Sequence, residues 1–128
     1  MADRVRVGVV GTSWFAETLH LASLASHPEA ELTAICGRNR ERAESVAADH
    51  SIPYVYTDYR QMITSDVLDA VVVVTPDALH YPITMAALEA GLHVMCEKAI
   101  ALNADQARQM YEAADASGLV NMVGYTWL

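Results

Sequence analysis

The sequence predicts an α/β fold built on a doubly wound parallel sheet, and three observations predict it. Val5–Val10 (VRVGVV) and Ala70–Val74 (AVVVV) are nearly unbroken apolar runs. Strands apolar on both faces belong in the middle of a parallel sheet covered by helices. Strand-like and helix-like patterns alternate along the chain, as crossover connections require. The first strand also runs through a glycine turn straight into an apolar helical pattern, VRVGVVGTSWFA from Val5 to Ala16. The 128 residues fit one domain, and 53% apolar residues suffice for a core.

Each element follows from local signals. The helical pattern Ser13–Ser26 ends near His27-Pro28, and Leu32–Cys36 reads as the second strand. Asn39 is a good N-cap for a helix over Arg40–Asp49. Pro53 introduces a short strand, Tyr54–Tyr56, and Tyr59–Thr64 reads as a short helix. After the apolar run Ala70–Val74 come a loop, Thr75–Leu79, and a helix to Ala90 that Gly91 closes. In that loop Asp77 is placed to cap the helix. His93–Glu97 is the fifth strand. Asn103, with Gln106 three residues on, resembles a capping box and opens a helix to Ser117. Gly118 ends that helix, and Val120–Gly124 is the last strand. The order makes the sheet Rossmann-type. Residues 1–124 form this domain, and 125–128, which carry Trp127 and Leu128, are expected to start the connection to a further C-terminal domain absent from this chain.

Composition narrows the partners. A net charge of −8 argues against a nucleic-acid backbone, whose phosphates need clustered Lys and Arg. The N-terminal MADRVRV has no apolar signal region, and Ala70–Val74 is far too short to cross a bilayer, so no membrane role is expected. Cys36 and Cys96 end strands without metal-ligand spacing, and read as buried thiols of a cytoplasmic protein. His20, His27, His50 and His93 show no ligand spacing either, so no metal is expected.

The chemistry gathers at strand ends. Gly11-Thr12-Ser13-Trp14-Phe15-Ala16 follows the dinucleotide pattern G-x-G-x-x-G/A, with Ser13 at the second glycine. A turn at a helix N-terminus meets a pyrophosphate with unpaired N–H donors and the positive end of the helix dipole. The second strand ends at Gly37, 21 positions after Ala16, about where the ribose-recognition residue sits. NAD-selective sites place a carboxylate there. Gly37 withholds it, while Arg38 and Arg40, with Arg42 nearby, supply guanidinium groups that suit a 2′-phosphate or stack on adenine. NADP is therefore the favoured cofactor and NAD the alternative. Thr75-Pro76-Asp77-Ala78-Leu79-His80 follows the most apolar strand, where open parallel sheets bind ligands. There His80 either faces the cofactor or sits in the first helical turn. Glu97-Lys98 emerges from the apolar strand HVMCEK, as a proton-transfer pair or as a strand-end ion pair.

VGVVGTSWFA, the Gly-Arg-Asn start of the second helix, VVVVTPDALH, AALEAGLHVMCEKA and MVGYTWL together resemble the glucose–fructose oxidoreductase / inositol dehydrogenase (Gfo/Idh/MocA) family over essentially the whole chain. The resemblance implies a Rossmann domain followed by a larger α/β substrate domain, and NAD(P)-dependent hydride transfer to or from a carbinol or carbonyl of a sugar- or polyol-like substrate. It implies that Gly11–Phe15, including Trp14, hold pyrophosphate, and that Thr75, Pro76 and His80 lie beside the nicotinamide half. It implies too that Glu97 and Lys98 meet the nicotinamide ribose and the reacting hydroxyl, with Lys98 catalytic. Association into a homo-oligomer runs, in this family, through the second domain. Two departures stand out. The family usually reads Glu-Lys-Pro, and Ala99 stands here in place of the proline. Its usual catalytic histidine lies in the second domain. A non-catalytic dinucleotide-binding or sensor protein is the alternative reading.

Overall fold

In the computed structural model, which describes residues 3–125, six strands form one parallel sheet in the order β3-β2-β1-β4-β5-β6. The strands are β1 (Val5–Val10), β2 (Ala30–Cys36), β3 (Tyr54–Tyr56), β4 (Ala70–Val73), β5 (His93–Glu97) and β6 (Asn121–Gly124). A π-helical segment, Ala16–Leu21, runs into α1 (Ala22–Ser26). The other helices are α2 (Arg40–His50), α3 (Tyr59–Ile63), α4 (His80–Glu89) and α5 (Ala104–Ser117), with a 3₁₀ turn at Asp77–Leu79. The chain winds outward from β1 in both directions, and the sheet reverses between β1 and β4.

Side-chain alternation along the central strands divides the core in two. Val7, Val9, Ile35, Val72 and Val74 pack with Ala16, Leu21 and Val46 on one face. Val10, Ala34, Val71, Val73 and Val94 pack with Met62, Ile83 and Ala87 on the other. Both faces are covered, which is why these strands lack polar alternation. Ala16 has no exposed surface, and its small side chain lets the first helical run lie close to the sheet.

The capping signals act as read at most helix ends. Asn39 Oδ1 accepts from Arg42 N at 3.0 Å, and Asn103 Oδ1 from Gln106 N at 2.8 Å. Gln106 Oε1 accepts from Leu102 N at 3.3 Å, one residue before the expected partner of a capping box. Gly91 and Gly118 take positive φ after α4 and α5. Several boundaries differ from expectation by one or two residues. β2 begins two residues earlier, at Ala30, and β6 one residue later, at Asn121. Asp77 makes no side-chain cap: neither the 3₁₀ turn nor α4 has one. Residues 126–128, where the onward connection was expected to run, lie outside the described residues.

Candidate dinucleotide site

The carboxyl ends of the parallel strands all open on one side, and two clefts adjoin there. The larger, about 650 Å³, runs over the ends of β1, β2, β3 and β4. The smaller, about 490 Å³, lies over β4 and β5. Ser13, Val74, Thr75 and Pro76 line both, so the two form one groove across the point where the strand order reverses. Open α/β sheets bind their ligands at that point.

Gly11 makes the first wall possible. Its φ is +132°, and a Cβ there would lie 2.1 Å from the Val74 carbonyl oxygen, so only glycine lets the turn pass so close to β4. Gly11 N donates to Cys36 O at 2.9 Å, tying the turn to β2. Ser13 caps the helical run: its Oγ accepts from Ala16 N at 3.2 Å. The hydroxyl proton stays available to a bound group. Thr12, Gly37 and Arg38 complete this end of the larger cleft.

The basic cluster divides by what each arginine already holds. Arg42 donates from Nε to the Thr12 carbonyl at 3.1 Å and from Nη2 to Glu17 Oε1 at 3.0 Å. It braces the turn. Arg40 lies outside both clefts and pairs with Glu44 at 3.6 Å along the exposed face of α2. Arg38 lines the larger cleft, and no carboxylate among the described residues lies within ion-pair distance of it. Thr57, Asp58, Tyr59 and Arg60, from the end of β3, also line this cleft, with Leu79 and Ile83 as its apolar floor. The sequence reading passed over them, although the same strand-end rule that singled out Thr75 applies to β3. The Arg60 guanidinium sits 4.6 Å from the Tyr59 ring centroid.

The smaller cleft brings Ser13, Phe15, Thr75, Pro76, Glu97 and Lys98 together. Glu97 does not pair with Lys98. Its buried carboxylate accepts from His20 Nε2 at 2.8 Å, and both side chains are nearly closed to solvent. The Phe15 and His20 rings meet edge to face at 5.8 Å. Glu97 also fits against Gly124, where a Cβ would come within 3.0 Å of its Oε1. Sequence spacing missed His20, because its partner lies 77 residues away, on β5. Lys98 is exposed, has no carboxylate partner among the described residues, and is free to meet a ligand.

Two residues expected at the cofactor, Trp14 and His80, lie outside both clefts. Trp14 lines neither cleft and is 74% exposed. His80 has no exposed surface and lines neither cleft: Nδ1 lies 2.5 Å from the Ala99 carbonyl oxygen and Nε2 2.9 Å from that of Thr75. It sits between the loop after β4 and the segment after Lys98, as the first residue of α4. The Lys98–Ala99 peptide is cis. Burial pushes the Cys36 and Cys96 thiols up to about 11, so neither offers a thiolate nucleophile at neutral pH. Among the described residues no group of three His, Cys, Asp or Glu side chains gathers to hold a metal ion, and no helix is long and apolar enough to cross a membrane.

Comparison with known proteins agrees with this geometry. Residues 5–125 match the GFO_IDH_MocA family model, described as an oxidoreductase family with an NAD-binding Rossmann fold. The chain is 36% identical over 118 residues to scyllo-inositol 2-dehydrogenase (NADP(+)) IolU of Bacillus subtilis, covering 92% of this chain and 36% of the relative. It is 34% identical over 116 residues to D-glucoside 3-dehydrogenase of Escherichia coli, covering 91% and 33%. Among solved structures, the 3-ketoreductase KijD10 of Actinomadura kijaniata, in complex with TDP-benzene and NADP, superposes with a TM-score of 0.90 at 32% identity, covering 96% of this chain and 39% of that one. The chain thus spans about a third of the length of the curated relatives it matches. It belongs to the GFO/IDH/MocA oxidoreductase family, in the NAD-binding Rossmann part.

Proposed function

We propose that this chain is the cofactor-binding domain of an NADP(H)-preferring oxidoreductase acting on a sugar- or polyol-like substrate. One observation carries the cofactor preference. At the end of β2 the cleft presents Gly37 and an uncommitted Arg38 where an NAD-selective site would present a carboxylate. The NADP named for the Bacillus subtilis and Actinomadura kijaniata relatives supports the same reading.

The groove fits a dinucleotide. The turn at Gly11 comes within van der Waals reach of β4 and leaves its outer face open for a pyrophosphate, with Ser13 at the helix start. In this reading Arg38 pairs with the 2′-phosphate, and Thr75 and Pro76 border the nicotinamide half. Glu97, fixed by His20, accepts from the nicotinamide ribose. Lys98 holds the substrate oxygen and moves its proton. A bound nicotinamide supplies the hydride or takes it up. The free, exposed Lys98 at the mouth of the smaller cleft favours a catalytic role over a cofactor sensor. Two free buried thiols support a reducing, cytoplasmic setting, and homo-oligomer assembly is assigned to the substrate domain of the complete protein.

Calorimetric titration tests the preference. NADP should bind this chain roughly tenfold or more tightly than NAD, and Arg38→Ala should remove that margin while leaving NAD affinity nearly unchanged. Equal affinities in the wild type would defeat the reading.

A further inference from the structure

We propose that Thr12 is a specificity-determining residue that acts through Gly37 at the mouth of the larger cleft. This rests on the NADP reading and deepens it. A Cβ at position 37 would lie 2.6 Å from Thr12 Cγ2, 3.0 Å from Oγ1 and 3.4 Å from Cβ. Gly37 does not have the positive φ of Gly11, Gly91 and Gly118. Glycine is therefore required here by space and not by backbone conformation, and Thr12 occupies the space.

Neither side of this contact can easily give way. Thr12 is β-branched, and both of its heavy branches stand over Gly37, so only the rotamer that turns the Cβ hydrogen inward would relieve a clash. The Thr12 backbone is fixed by Arg42 Nε on its carbonyl at 3.1 Å, and Arg42 is itself anchored by Glu17 at 3.0 Å. On the other side Gly37 N donates to Tyr56 O at 3.1 Å, which holds the end of β2 to β3. A side chain at 37 has nowhere to start.

The excluded side chain is the one that matters for selectivity. A carboxylate at this strand end accepts from a free ribose 2′-hydroxyl and repels a 2′-phosphate. Arg38 attracts the phosphate, and Thr12 independently keeps out the group that would reject it. Introducing the carboxylate alone therefore fails, because position 12 must be opened first. Of these three contacts Thr12→Ala removes those at 2.6 and 3.0 Å and leaves the one at 3.4 Å, which is ordinary packing.

The test titrates NAD and NADP into the wild type, Gly37→Asp, Thr12→Ala and the double variant, with thermal unfolding of Gly37→Ala with and without Thr12→Ala as a readout free of cofactor. Gly37→Asp alone should lose NADP affinity and gain no NAD affinity. The double variant should bind NAD about tenfold more tightly than Gly37→Asp. Gly37→Ala should melt several degrees lower than the wild type, and Thr12→Ala should restore most of the loss. If Gly37→Asp binds NAD as well as the double variant does, or Gly37→Ala melts alike in both backgrounds, Thr12 does not govern position 37. The NADP reading is judged separately, from the two wild-type affinities alone.

Discussion

Lys98 stands at the end of β5 with nothing among the described residues to neutralise it, while its neighbour Glu97 is turned inward to His20. In the reading proposed above, the two residues do different work. In the complete enzyme Lys98→Ala should lower turnover by ~100- to 10,000-fold, the usual cost of a positioned proton-transfer group, with a much smaller effect on cofactor affinity. Steady-state kinetics alongside cofactor titration would show it, and unchanged turnover would remove Lys98 from the mechanism. Acid stability also belongs to single residues. Asp69 takes a bidentate grip from Arg6, Nε to Oδ2 at 3.1 Å and Nη2 to Oδ1 at 3.0 Å, plus the Arg6 backbone N–H at 2.8 Å. The Arg6 hydrogen bonds hold its carboxyl below the ordinary carboxylate range, and the hydrogen bond from His50, with Arg42, does the same for Glu17. A carboxyl with a depressed folded-state pKa binds fewer protons folded than unfolded. Its contribution is therefore complete above the unfolded value, about 4, and is lost as pH falls through the lower folded values. Asp69→Asn and Glu17→Gln should each lower the urea midpoint at pH 7 and lower it less at pH 3. A loss that is the same at both pH values would mean that these carboxylates are not linked to folding.

At the scale of elements, the π-helical segment Ala16–Leu21 is where the turn is joined to its surroundings. One wide turn sends Glu17 to Arg42 and His50 on α2, and His20 to Glu97 on β5. π-turns are frequent at functional sites. If His20 supplies Glu97's donor, His20→Ala leaves a buried carboxylate oxygen unpaired at a cost of about 1–3 kcal/mol. Adding Glu97→Gln should then cost less than the sum of the two single changes in chemical denaturation. Strictly additive losses would show that the two side chains act independently. This element also marks the limit of what the sequence discloses. Helix ends were legible because Asn39, Asn103, Gly91 and Gly118 announce themselves through local chemistry. So was the groove, because the strand-end rule needs only the topology. The π register was not, since a 3.6-residue pattern does not report one extra residue in a turn. Nor were the commitments of Arg42 and His80, whose partners lie far along the chain or outside their own helix; the Arg40–Glu44 pair, at i,i+4 on α2, could have been read from spacing.

At the scale of the whole molecule, the two clefts are unequal. The larger is walled by four strand ends and carries the turn, Arg38 and an apolar floor within this sheet. The smaller is lined by seven residues, among them Ser13, Phe15, Glu97 and the exposed Lys98. The 128 residues span about a third of the relatives' length. In the reading proposed here, the substrate walls belong to chain beyond this domain. Rate acceleration requires a substrate held against the cofactor, and cofactor binding alone does not provide that. The purified 128-residue chain should therefore bind NADP and stay without turnover on inositols, aldoses and glucosides. Supplying the complete protein should restore turnover that depends on Lys98. Steady NADPH formation by the isolated chain, unaffected by further purification and abolished in Lys98→Ala, would show instead that the groove described here holds a substrate unaided.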